Sequence, residues 1–211
     1  MTARRRTTDD RAPAEEVRRT AREEGLAPAV TALAAHLTGD ILAPGPYGHA
    51  VLPEDGFTGG RDQEVLGRWE LPGGAVLLVH GARRGPGAGA VDQRLLLALR
   101  LGLVEGLRDA CTARLASRPS GDGTVLMQQM VKGQVAEGLA HQLELAAVLA
   151  SLDDDAPDAS QVRHLHREVT AAGRAVLRLF GAHGFLADGP GAVAHVSELL
   201  ADVHLPAEET A

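Results

Sequence analysis

The stretch "LRLGLVEGLRDACTARLASR", residues 99–118, decides the fold. Apolar residues return at three- and four-residue steps. Leu95, Leu96, Leu99, Leu103, Leu107, Ala110 and Cys111 fall near one face of a helix predicted over about 90–117. "SRPSGDG" breaks that pattern, and a second helical period runs over about 124–152 through Met127, Met130, Val135, Leu139, Leu143 and Leu149. The acidic "DDDAPDAS" follows and ends in a capping residue. A third helix is predicted over about 160–180 through Val162, Leu165, Val169, Val176 and Leu179, and a shorter one over about 190–203. Four helices on short loops predict a mainly α fold, an antiparallel four-helix bundle.

Composition agrees. Of 211 residues, 45% are hydrophobic but only 2% aromatic, so the core is Leu, Val and Ala, which suits packed helices better than a sandwich. The net charge of −7 argues against a nucleic-acid surface, which needs a concentrated basic patch. The basic start "ARRRTTDDR" is offset at once by acids and reads as a solvated tail. Cys111 is the only cysteine; it cannot form a disulfide within the chain, suits a reducing cytoplasm, and sits in an apolar run as an inert thiol. No signal-peptide core follows the basic start, and no apolar run reaches the length of a membrane span. A cytoplasmic protein with no membrane or nucleic-acid partner is expected.

Three regions are expected: 1–39, 40–89 and 90–211. The first is helical over about 14–37, with two glutamates in its first turn and an interruption or kink at Gly25 and Pro28. The second is rich in Gly and Pro. "EVLGRWELPGGAVLLVHGARRG" (64–85) reads as two strands around a "PGG" turn, with a third short strand near His49 to Leu52. "GPGAG" (85–89) lacks the Lys-Ser/Thr of a phosphate loop and reads as a linker.

Nine histidines invite a metal reading. His164 and His166 are two apart, point to nearly opposite sides of a helix and cannot share one ion. There is no HExxH and no Glu-x-x-His pair on two helices, so no metal site is expected. Nor is there a Ser nucleophile elbow.

Residues Asp92 to Thr210 resemble the C-terminal helical domain of flavin-dependent acyl-CoA dehydrogenases, through four patterns in the family's order. "LRLGLVEGLRDACTARLASR" is similar to the helix that opens the family's bundle. "SRPSGDGTVLMQQMVKGQVAE" is similar to its Arg-x-Phe-Gly loop, which is followed seven residues after the glycine by a glutamine; Arg118, Gly121 and Gln128 fall at those places. "VLRLFGAHGFLADGP" resembles the Gly-Gly-x-Gly-Tyr/Phe helix end, and "ELLADVHLPAEETA" the closing segment.

The resemblance implies a shortened or divergent member in which FAD lies at a subunit interface. Arg118 would approach the pyrophosphate, Gln128 would hydrogen-bond the cofactor, and Gly181 and Gly184 would let backbone come close. It implies a homodimer, or a hetero-oligomer with a homologous subunit, acting on an acyl-CoA or acyl-carrier thioester. The catalytic carboxylate falls on one of two residues. Glu208 matches the family's Tyr-Glu-Gly-Thr once two residues are deleted before it. Asp92 lies ten residues before Gly102, where some members carry the base. Each also has a plain reading, Asp92 as a helix N-terminal acid and Glu208 as a tail residue. Ser120 stands for the family's loop phenylalanine and Ala182 for its second glycine. The alternative is a non-catalytic partner or scaffold that keeps the bundle without flavin chemistry.

Overall fold

The computed structural model describes residues 12–37, 44–81, 91–152, 158–186 and 189–205. Glu208, the "GPGAG" segment and the basic start "ARRRTTDDR" lie outside the described residues.

The chain is mainly helical with a small antiparallel sheet. Instead of one kinked first helix there are two, α1 (Ala12–Glu23) and α2 (Leu26–Ala35). Gly25 separates them at φ +98°, where any side chain would be strained, and a Cβ there would also lie 2.2 Å from the Pro72 carbonyl oxygen. The turn after α1 is thus seated directly on a turn of the sheet. The strands are β1 (His49–Pro53), β2 (Glu64–Leu71) and β3 (Gly74–His80), in the order β1–β3–β2. The expected hairpin and third strand are both present. A register shift between Val65 and Gly67 bends β2. Gly67 leaves room for the Trp69 ring, since a Cβ there would sit 2.5 Å from it.

Four further helices follow: α3 (Gln93–Ser117), α4 (Gln129–Ser151), α5 (Ala159–Phe180) and α6 (Pro190–His204). The "SRPSGDG" break is a tight hairpin, β4 (Pro119–Ser120) with β5 (Gly123–Thr124), followed by a single 3₁₀ turn over Val125–Met127. Helix α4 therefore begins later than its apolar period suggests.

Helix α3 is the axis of the molecule. Its buried residues run unbroken from Leu95 to Glu105, too wide a face for one partner. One side belongs to a cluster with α1, α2, the sheet and α6, through Val17, Leu33, Val76, Leu96, Leu99 and Leu200. The other belongs to a cluster with α4 and α5, through Leu97, Leu101, Leu145, Leu165 and Val169. The N-terminal helices do not merely precede the four later ones; α1 packs along α3. Arg18 and Arg22, one turn apart, reach Glu105 (2.5 Å) and Asp109 (2.7 Å), also one turn apart, so α1 and α3 run parallel. They approach closely because Gly102 and Gly106 face α1; a Cβ on Gly102 would fall 2.1 Å from the Arg18 carbonyl oxygen.

Candidate functional site

Helix α4 runs antiparallel to its neighbours. His141 Nε2 meets Glu168 Oε2 at 3.1 Å, while Leu145 and Leu149 face Leu165 and Val169. Equal steps outward from the His141–Glu168 pair, back along α4 and on along α5, reach Gln128 and Gly181 together. Arg118 ends α3 at the same end of this layer.

The geometry of that end is open. Arg118 is exposed, in extended backbone, and makes no ion pair among the described residues. Its carbonyl accepts from Val125 N–H at 2.9 Å, which closes the β4–β5 hairpin. Gln128 is exposed at the N-terminal boundary of α4 and donates to Ser120 Oγ at 3.3 Å. Gly181 stops α5 at φ +61° and ψ −144°, a region glycine alone occupies readily, with open space where a Cβ would be. Gly184 differs: it is buried, and a Cβ there would fall 2.8 Å from the Leu177 carbonyl oxygen. Its bare backbone also receives α6, because a Cβ on Gly191 would lie 2.3 Å from the Gly184 carbonyl oxygen.

Asp92 is the N-cap of α3, its carboxylate accepting from Arg94 N–H at 2.8 Å. It is at the opposite end of α3 from Arg118. Cys111 is 1% exposed, and burial pushes its thiol up to about 11, which suits an inert group.

A second polar constellation was not anticipated from the sequence. Arg100, in the apolar middle of α3, is fully buried. Its Nε donates to Ser197 Oγ (3.2 Å), Nη1 to His166 Nδ1 (2.7 Å) and to the His166 carbonyl (3.2 Å), and Nη2 to Thr170 Oγ1 (2.7 Å). Because a guanidinium only donates, His166 Nδ1 must accept, and its Nε2–H donates to Gln93 Oε1 at 3.1 Å. Gln93 Nε2 in turn donates to the His204 carbonyl at 3.0 Å. Burial, with the Arg100 charge adding to it, holds His166 down to about 3; burial holds His204 at about 4. Burial also lowers Arg100 to about 10, with Glu198 and Asp202 opposing, so it stays charged at neutral pH. No carboxylate contacts it among the described residues.

Thr170 and His166 form part of the wall of an open cleft of about 520 Å³ between α5 and α6. A neighbouring cleft of about 630 Å³ shares Arg174, Arg178 and Glu198 with it and runs on to Trp69, Phe185 and Gly184. The sequence held one signal for this cluster: an arginine in the run "LLLALRLGL", which is otherwise entirely apolar. His164, the other half of the histidine pair, is exposed. Among the described residues no helix is long and apolar enough to cross a membrane.

No family model and no curated protein matches the chain. Solved structures do. One is a variant of the Tcur3481–Tcur3483 steroid ACAD, at 15% identity and TM-score 0.47, covering 73% of this chain and 50% of that one. A second is a putative acyl-CoA dehydrogenase from Mycobacterium smegmatis, at 13% identity and TM-score 0.45, covering 69% and 46%. A third is the ChsE4–ChsE5 complex from Mycobacterium tuberculosis, at 17% identity and TM-score 0.41, covering 74% and 51%. The first two carry the name of the family that the sequence patterns resemble. The chain spans about half the length of the structures it matches.

Proposed function

We propose that this chain is an acyl-CoA dehydrogenase-like protein that takes part in FAD-dependent α,β-dehydrogenation of an acyl thioester, together with a second copy or a homologous subunit. The observation that carries the reading is the open end of the helical layer. It offers a guanidinium without an ion-pair partner among the described residues (Arg118), an exposed carboxamide (Gln128) and a side-chain-free helix stop (Gly181). A guanidinium suits a pyrophosphate through bidentate donation, and a bare helix stop allows backbone approach. FAD would supply the hydride acceptor; Arg118 and Gln128 would bind and orient it, and Gly184 would act by seating α6 beneath the α5 stop.

A second subunit is supported by the outer face of α4. Leu139 and Leu143, one turn apart, are exposed there. Each would be covered if this face met another bundle.

The alternative, a non-catalytic partner, is favoured by one observation. The Asp92 carboxylate already caps its own helix, at the opposite end of α3 from Arg118. Visible absorption separates the two readings. A flavin band near-stoichiometric with protein, in the purified chain or after adding FAD, is expected for the flavoprotein, and Arg118→Ala should weaken FAD binding about tenfold or more. Protein that stays colourless with FAD, both alone and with any co-purifying homologue, overturns the flavin reading.

A further inference from the structure

The α5–α6 groove carries an unbalanced charge arrangement. Arg174 and Glu198 neutralise each other through two hydrogen bonds of 2.9 and 2.7 Å. Of the remaining charges lining the first cleft, Arg167 and Arg178 have no partner among the described residues, and they face only Asp202. Beneath the wall lies Arg100, a fully buried cation held by hydroxyls, an imidazole and a carbonyl; no carboxylate contacts it among the described residues, and Glu198 and Asp202 act on it only at longer range. A buried charge without a contacting counter-ion is costly, and a bound anion offsets that cost. Thr170 links the two levels: its oxygen accepts from Arg100, which leaves its own hydrogen to donate elsewhere. The other end of the groove is apolar, with Trp69, Leu177, Phe185, Leu186 and Ala192. Phe185 is 72% exposed there, an uncovered aromatic lining the same cleft as the only tryptophan of the chain.

We infer that this groove binds a small organic carboxylate with an apolar body, its head group at Thr170 and Arg178 and its body along Trp69 and Phe185. Asp202 on the rim, which has no salt bridge among the described residues, disfavours a dianion such as phosphate more than a single negative charge. The volumes suit a small molecule. The inference does not require flavin: Arg118, Gln128 and Gly181 do not line the groove, and Gly184, which does, brings only backbone.

Trp69 supplies the readout. Titrating the full chain with octanoate should change its emission saturably, and calorimetry should give the same Kd. Octanol, with the same body and no charge, should bind at least about tenfold more weakly. Arg178→Gln should raise the octanoate Kd about tenfold; Arg178 is exposed and outside the core, so the fold is kept. Thr170→Val should also weaken binding. Octanol binding as well as octanoate, an unchanged Kd in Arg178→Gln, or displacement of octanoate by equimolar inorganic phosphate would each overturn the assignment. None of these measurements reads flavin, so a colourless protein leaves them interpretable.

Discussion

At the scale of single residues, the chain buries two histidines that must stay neutral. His166 accepts from Arg100, so a proton on Nδ1 would set donor against donor. His204 is 4% exposed and neither ring nitrogen has a partner among the described residues. Both hold folded values, about 3 and about 4, below the ordinary 6.5 of histidine. In that interval the unfolded chain binds more protons than the folded one, so stability rises with pH. It is fully present above about pH 6.5 and is lost as pH falls toward 4. Thermal midpoints measured between pH 7 and 4.5 should drop steeply, and His166→Gln should flatten the profile. A flat profile in the parent protein would contradict burial of two neutral imidazoles. The Arg100 cluster also marks what one-dimensional reading misses. An arginine among leucines is visible in the sequence, but its partners His166, Thr170 and Ser197 lie 66, 70 and 97 residues away. Only the packing of α3 against α5 and α6 makes them one group.

At the scale of elements, α1 on α3 shows how small residues and ion pairs act together. Gly102 and Gly106 allow close approach, and that approach brings Arg18 to Glu105, a carboxylate whose side chain is only 5% exposed. Removing Arg18 leaves this carboxylate buried and unpaired. Arg18→Ala should cost about 3 kcal/mol in denaturant unfolding, and adding Glu105→Ala should cost less than the sum of the two single changes. Glycine positions divide by the same logic. Gly102→Ala meets backbone and should destabilise by about 2 kcal/mol. Gly138→Ala, in the middle of α4 with open space around it, should stabilise by about 0.5–1 kcal/mol through helix propensity. Chemical denaturation of the two variants side by side checks both signs. Helices were legible because their apolar period is long and regular. The start of α4 was not, since Val125, Leu126 and Met127 keep an apolar character inside a 3₁₀ turn. The split between α1 and α2 came from a contact with a turn of the sheet, which no local pattern carries.

At the scale of the whole molecule, the described faces are unequal. The α3 axis is covered on both sides, whereas α4 buries only Gln142 and Leu145. A face of this kind predicts self-association or a homologous partner. Sedimentation velocity over a range of concentrations should show a species heavier than the 22.0 kDa chain, and Leu139→Glu with Leu143→Glu should return it to monomer without loss of helicity. A concentration-independent monomer in the parent protein, both alone and mixed with a homologue, would leave that face without the proposed role.

Composition and period alone determined that this chain is mainly helical, with a small sheet inserted before its longest helices, because those properties are local: each residue's fate depends on neighbours within a turn or a strand pair. The same locality let the stop at Gly181 and the break after Arg118 be read directly. Tertiary structure alone decided that α1 lies along α3, that Gln128 and Gly181 share one end, and that Arg100 is a cation buried beneath the α5–α6 groove. Those outcomes depend on which faces meet across the molecule, and that choice is made by the summed burial of distant side chains.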